Sequence, residues 1–403
     1  MSRPIVYWSV VVFMMIFGAY FRFKLHRDPN FPINFDEQVY VAYVDRLAEH
    51  GITSYPSVFH DYVERVSKAE IVFLPPSRAG YVVPAWALTK LTKWNSYEAL
   101  RMVSAMGSFL FAMAGFFFAR RWVTSRMALA VLGLLVCAPL QIHLSQFAFI
   151  DGVAAFWTLL TVASVWECFQ QPRRIGWALT AGFGAWGLLI TKQEIAVFVA
   201  LFLIVALVLG KRLGFSTDRR PAFIALASGG ILGVFALVLM AGGVSVFWET
   251  FRIYIERSPQ IPYAIATGDG PWNRYLIELF ILSPLVILLA LCGIFRGQPT
   301  GSVGRYWLLF LVTTYVVMCN VQYGMNLRYT AMWDFPLALF AVMAISSLTT
   351  RRRRPMIWAA TLTGVVCLVT FRQYNVIFRD NAIAHDLYDP LPEFMLRAVR
   401  ILK

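Results

Sequence analysis

An α-helix needs about 20 mostly apolar residues to cross a bilayer, and this sequence contains eleven stretches of roughly that kind. They fall at 5–23, 99–119, 127–142, 149–169, 175–190, 195–210, 221–243, 275–295, 305–320, 330–349 and 356–371. Within lipid every backbone N–H and C=O has to be satisfied internally, which leaves helices and closed barrels. Continuous apolar runs, rather than alternating ones, select helices. The expected fold is an all-α polytopic membrane protein with about 11 transmembrane helices. Hydrophobic residues make up 59% of the 403 and charged residues 14%, so little chain remains for a soluble catalytic domain. The first run has no small-residue cleavage site, because Tyr20-Phe21-Arg22 follows Gly18-Ala19, and it reads as a retained anchor.

The net charge of +14 would suggest nucleic acid in a soluble protein. Here the basic residues sit mainly in short loops between apolar runs, which points to topology and to no nucleic-acid partner. One set of alternate loops carries Arg120, Arg121 and Arg126; Arg173 and Arg174; Lys211, Arg212, Arg219 and Arg220; Arg296 and Arg305; and the arginines at 351–354. The opposite short loops carry only Lys192 and Arg328. Cytoplasmic loops retain Lys and Arg during insertion, so the first set is expected inside, with the N-terminus. Arg22, Lys24 and Arg27 oppose this, although the rule counts poorly in a segment as long as 24–98. The five cysteines all lie in apolar runs without paired spacing, so neither a disulfide framework nor a metal site is suggested.

This orientation divides the chain into a transmembrane module, 1–371, and a short external tail, 372–403, whose 387–402 stretch could form a helix. Segment 79–93 is apolar but short for a span, and with Tyr81, Trp86 and Trp94 it reads as an interfacial helix in the external loop 24–98. Segment 37–50 is a second, since Val39, Tyr40, Tyr43, Val44 and Leu47 recur at helical spacing before Gly51. Another external loop, 244–274, holds Trp248, Arg252, Tyr254, Glu256, Arg257 and a Gly268-Asp269-Gly270-Pro271 turn.

The unusual polar residues gather on the outer side. Asn34-Phe35-Asp36-Glu37 opens the first surface helix. These residues suit an N-cap with acids in the first turn, and the same helix terminus would keep a carboxylate ionised for use as a general base. Asp151 follows the turn Ser145-Gln146-Phe147-Ala148-Phe149-Ile150 and starts the next span. An acid at that depth is costly unless partnered or wet, so it is a functional candidate. His143 reads as a solvated loop residue. Lys192, in the tight Thr191-Lys192-Gln193-Glu194 turn, and Arg328, in Asn326-Leu327-Arg328-Tyr329, are outward cations that call for anionic partners. A phosphate fits, with Arg as a fork and Lys as a point charge. Structural ion pairs, Lys192 with Asp151 or Arg328 with Asp334, are the alternative. Arg78, after Leu74-Pro75-Pro76-Ser77, could serve the same phosphate. Glu167 and Glu278 are expected to snorkel at span ends, and Asp45, Glu49, Asp61, Glu64 and Glu70 to lie on a solvated loop surface.

The order of these motifs resembles the GT-C membrane glycosyltransferases, and within them the protein O-mannosyltransferase and aminoarabinose-transferase branch, glycosyltransferase family 39. The resemblance rests on Asp36-Glu37, Pro75-Pro76, Glu98-Ala99-Leu100-Arg101, Arg120-Arg121, the turn ending in Asp151, Leu188-Leu189-Ile190-Thr191-Lys192, and Arg328-Tyr329. It runs through about the first 340 residues. It implies a hexosyl or pentosyl transferase that takes sugar from a polyprenyl-phosphate donor to an acceptor hydroxyl on a lipid, glycan or protein, with inversion, at the outer face of a bacterial inner membrane in service of the cell envelope. It further implies Asp36 as base, Glu37 orienting Asp36 or the acceptor, Asp151 organising the site, and Lys192 and Arg328, with Arg78 and Tyr329, at the phosphate. Leu74 stands where relatives often carry a basic residue or histidine. No cofactor is required by this scheme, although Asp36, Glu37 and Asp151 could hold a divalent cation. Acids and bases of this kind also suit a transporter or lipid flippase. That alternative expects charges near mid-membrane and repeated halves, and no repeat is evident.

Overall fold

The computed structural model describes residues 3–24, 33–68, 73–215, 218–257, 270–295, 301–321 and 325–380. Arg27, Glu70, Arg296, the first two residues of the Gly268-Asp269-Gly270-Pro271 turn, and the 387–402 stretch lie outside the described residues.

Each expected apolar run falls on a helix or a bent helix pair: α1 (Arg3–Phe23), α5 (Ser96–Trp122), α6 (Ser125–Val136) with α7 (Pro139–Ser145), α8 (Asp151–Gln170), α9 (Ile175–Thr191), α10 (Gln193–Leu209), α11 (Arg220–Ala241), α13 (Arg274–Leu282) with α14 (Pro284–Phe295), α15 (Gly301–Asn320), a 3₁₀ segment (Leu327–Trp333) running into α16 (Asp334–Thr349), and α17 (Pro355–Tyr374). Among the described residues seven helices are long and apolar enough to cross a membrane, and nine spans result if each bent pair counts as one. The count of eleven needs α9 and α10 as well, which are apolar but only 17 residues each. Large apolar side chains on the outside of α11 (Phe223, Ile231, Phe235) and α1 (Val12, Phe13, Ile16) face away from the protein, as lipid-facing surface does. The chain is an integral membrane protein.

The remaining helices form a layer over one end of the bundle: α2 (Phe35–His50), α3 (Tyr55–Lys68), α4 (Ala79–Thr92) and α12 (Val244–Arg257). The sequence reading anticipated α2 and α4 and missed α3 and α12, the latter lying in what read as the external loop 244–274. Tyr55, Val58, Phe59, Tyr62 and Val66 make the buried face of α3. Asp61 and Glu64, read as loop surface, lie on its opposite side, paired with Arg46 and Lys68. Tyr81, expected at the lipid surface, is fully buried and hydrogen-bonds Ser104 at 2.8 Å. A second hydrophobic cluster joins this layer to α5, α8 and α11 through Tyr40, Leu47, Phe59, Val82, Leu100, Val153 and Leu237.

Two glycines set close approaches, one within the bundle and one between the bundle and the layer. A Cβ at Gly107 of α5 would lie 2.7 Å from Val153 Cα, so only glycine lets α8 begin against α5. A Cβ at Gly80 of α4 would lie 2.3 Å from Thr191 Oγ1, and its absence brings α4 onto the end of α9. The diproline before α4 is pinned by tyrosines from below: Tyr43 donates to Leu74 O at 2.6 Å and Tyr55 to Pro76 O at 2.9 Å.

Arg22 departs from expectation. It is fully buried and is no loop charge. Pro139 opens α7 without an N–H, so it leaves the carbonyl four residues earlier, Leu135, without its helical donor. Arg22 Nη2 donates to Leu135 O at 2.9 Å, Nη1 to Val136 O at 3.1 Å and Gly18 O at 3.2 Å, and Nε to Ser108 Oγ at 2.9 Å. One side chain closes the 51° break between α6 and α7.

Candidate active site

Four of the expected residues start or end helices at the same end of the bundle. Asp36 stands in the first turn of α2, Asp151 begins α8, Lys192 is the single residue between α9 and α10, and Arg78 precedes α4. Arg328 lies in the 3₁₀ segment, whose start is capped by Asn326 Oδ1 accepting from Arg328 N at 3.0 Å. Trp333 Nε1 to Thr314 Oγ1 at 2.8 Å and Gln141 Nε2 to Ala331 O at 3.0 Å hold the rest of that segment.

The structure brings these residues into two bonded groups that lie within electrostatic reach of each other. Arg328 Nη2 donates to Asp36 Oδ2 at 2.9 Å, and its Nη1 lies 3.8 Å from Asp151 Oδ2. Lys192 Nζ is bonded to Asp151 Oδ1. Arg78 Nη2 donates to Glu194 Oε1 at 2.6 Å, and Tyr254 from α12 donates to the same oxygen at 3.2 Å. Aromatic faces complete the cradle: Tyr329 lies 4.2 Å from Lys192 Nζ, and Phe149 4.7 Å from the Arg328 guanidinium. Phe149 is placed by Ser104, which donates to its carbonyl at 2.7 Å. Burial pushes the Lys192 ammonium below its ordinary value, with Arg328 and Arg78 adding to that effect and Asp151 opposing it.

The Lys192–Asp151 pair therefore forms as the ion-pair alternative expected, whereas Arg328 pairs with Asp36 and Asp151 instead of Asp334. Glu37 is fully buried and accepts backbone N–H bonds at both oxygens: Oε2 from Asn34 at 3.1 Å, closing a capping box, and Oε1 from Ala148 at 2.8 Å. It ties the start of α2 to the turn before Asp151. A cation cage of Asp36, Glu37 and Asp151 does not fit this arrangement. Glu37 is committed to backbone, Asp36 and Asp151 converge on Arg328, and among the described residues no three acid, histidine or cysteine side chains are grouped to hold a metal ion.

Other polar residues fall differently from expectation because their partners are distant in sequence. His143 is 2% exposed and stacks on Phe378 with ring centroids 4.1 Å apart, so it is no solvated loop residue. Glu167 does not snorkel: it is buried, accepting from Arg121 at 2.6 Å and Trp122 Nε1 at 2.7 Å. Glu278 is likewise buried beside Arg274 at 2.8 Å. The sequence reading did not assign Glu194, Tyr254 or Phe149 to the site. Glu194 had a signal, since it follows Lys192 by two residues, but Tyr254 reaches the site from a helix more than 50 residues away and had none.

The sequence profile of the dolichyl-phosphate-mannose-protein mannosyltransferase family matches residues 85–259. No curated protein sequence matches the chain. Among solved structures the chain is similar to ArnT from Cupriavidus metallidurans in the apo state, with a TM-score of 0.54 and 18% identity, covering 94% of this chain and 65% of that one. The same protein bound to undecaprenyl phosphate gives a TM-score of 0.56 and 16% identity, covering 98% and 69%. The apo oligosaccharyltransferase of Archaeoglobus fulgidus gives a TM-score of 0.58 and 12% identity, covering 96% and 56%. The chain thus spans between 56% and 69% of the length of these proteins. At such identities the likeness shows the fold alone: the chain is a membrane protein with the fold of ArnT and of the archaeal oligosaccharyltransferase, and part of it resembles the protein mannosyltransferase family.

Proposed function

With the GT-C fold as premise, we propose that this protein is an inverting glycosyltransferase. Its donor is a sugar on a polyprenyl phosphate and its acceptor a hydroxyl on a lipid, glycan or protein. The observation that carries this reading is Asp36 held 2.9 Å from Arg328 inside a cluster that also contains Lys192, Arg78 and Asp151. Carboxylates and cations facing each other at one membrane boundary suit a donor whose isoprenoid tail stays in lipid while its sugar phosphate meets an acceptor arriving from water.

In the proposed step the acceptor oxygen attacks the anomeric carbon as its proton passes to the Asp36 carboxylate. The bond from that carbon to the phosphate oxygen breaks, and its electron pair remains on the phosphate. Arg328, Arg78 and Lys192 stabilise that charge, two as forks of donors and one as a point charge. Asp151 positions Lys192 and Arg328, Tyr329 supports Lys192 through its ring, and Glu37 orients the turn that carries Asp36. We place the site on the periplasmic face of a bacterial inner membrane, with the N-terminus inside. We also assign 1–371 as the catalytic module and 372–403 as an external tail; α17 carries past 371 to Tyr374 and one wider turn to Asp380. A transporter would place its charges between span ends, whereas Asp36, Asp151, Lys192 and Arg328 stand at helix termini.

Purified protein in liposomes, given a panel of polyprenyl-phosphate sugars with candidate lipid and glycan acceptors, tests the reading. Donor consumption with release of polyprenyl phosphate is expected for one sugar. Movement of intact donor across the bilayer without cleavage would replace this reading with a flippase.

A further inference from the structure

The cluster already balances its own charge. Arg78, Lys192 and Arg328 are matched by Glu194, Asp151 and Asp36, three cations and three carboxylates in direct ion pairs. A phosphate monoester or diester brings at least one further negative charge into a site whose side chains are mostly dry: Arg78 is 3% exposed, Lys192 4% and Asp151 2%. Bringing it in beside three ionised acids is unfavourable unless one of them leaves.

The three acids are not equally free to leave. Asp151 is bonded to Lys192 and lies against Arg328, deep at the start of α8. Asp36 must remain in place to accept the proton. Glu194 is 24% exposed, reaches Arg78 and Tyr254 through Oε1 alone, and leaves its buried Oε2 without a hydrogen-bond partner. Arg78 mirrors this, since its buried Nε also has none. A guanidinium with an unused donor, held by an acid that uses one oxygen and has a way to water, is arranged for exchange of that acid.

We infer that Glu194 is a resident counter-ion, which holds Arg78 in the empty site and is displaced by the donor phosphate. This rests on the proposed polyprenyl-phosphate donor and adds a residue that sets affinity for it. Glu194 then competes with the ligand, so removing its charge strengthens binding, the reverse of what loss of a supporting salt bridge would do. Glu194→Gln keeps the shape and the acceptor for Tyr254 while removing the competing charge. Tyr254→Phe leaves the charge and removes one of its two anchors.

The test is the dissociation constant for undecaprenyl phosphate in nanodiscs, measured for wild type, Glu194→Gln and Tyr254→Phe, with the thermal midpoint of each. The expected result for Glu194→Gln is binding tighter by about threefold or more. Tyr254→Phe should shift the same way by less. Weaker or unchanged binding in a folded Glu194→Gln protein overturns the inference and makes Glu194 a support for Arg78. If Glu194→Gln does not fold, Tyr254→Phe decides by the same sign. Failure of wild type to bind any polyprenyl phosphate would instead remove the proposed donor, and this inference with it.

Discussion

Arg22 and Arg78 are both buried arginines in a membrane protein, and they are held in opposite ways. Arg22 donates four hydrogen bonds, three to carbonyls and one to a hydroxyl, none to a carboxylate. Arg78 is held through a single nitrogen by one partly exposed acid, with its Nε unused. The first arrangement uses the whole guanidinium to satisfy backbone that a proline has broken, and leaves nothing for a ligand. The second is incomplete in the free protein, as a binding group has to be. Burial of a charge alone therefore does not mark a site; unspent donors next to a replaceable partner do.

The largest effect that would test this contrast is on stability. Arg22→Ala removes the side-chain donors to the Leu135 and Val136 carbonyls and to the Ser108 hydroxyl, which keeps its bond to Gln141 O, and leaves a buried cavity, so it should cost about 3–5 kcal/mol, read as a fall in the thermal unfolding midpoint. Arg22→Lys should recover only part of it, because a point charge cannot span four acceptors. Next, Arg328→Ala should lower transfer by about 10²–10³-fold, as loss of a donor aimed at developing charge does, in an assay of sugar release from the donor. Arg78→Ala should raise the donor KM by about tenfold while changing stability by less than about 1 kcal/mol, since Glu194 can turn to water. A stability loss as large as that of Arg22→Ala would break the comparison. The smallest effect is expected of Glu37→Gln, whose amide oxygen keeps one backbone contact while its NH2, which cannot accept, loses the other; it should cost about 1 kcal/mol in thermal unfolding, with activity kept once folded.

How much of this was legible in the sequence follows the range of the interactions. The apolar runs, the capping box at Asn34 and Glu37 and the helix ending at Gly51 are local patterns, and the structure places helices where they predict them. Local order also put Asp36, Asp151, Lys192 and Arg328 at helix termini. What chain order could not provide was pairing. Arg328 meets Asp36 across 292 positions and Glu167 meets Arg121 across 46, so Asp334 was a reasonable but wrong partner for Arg328. Arg22 read as a loop cation because two of the three carbonyls it serves lie more than 110 positions away. Helix α3 is a different case: its apolar spacing was present, but the surrounding charges drew the reading toward a loop.

The central claim is that Asp36 removes the acceptor proton while the cations beside it bind the phosphate. Measuring undecaprenyl phosphate binding and sugar transfer on the same folded preparation of Asp36→Asn tests both halves together. The account predicts binding at least as tight as wild type, because one competing negative charge is removed, and transfer reduced by about 10²-fold or more. Transfer at the wild-type rate would contradict it.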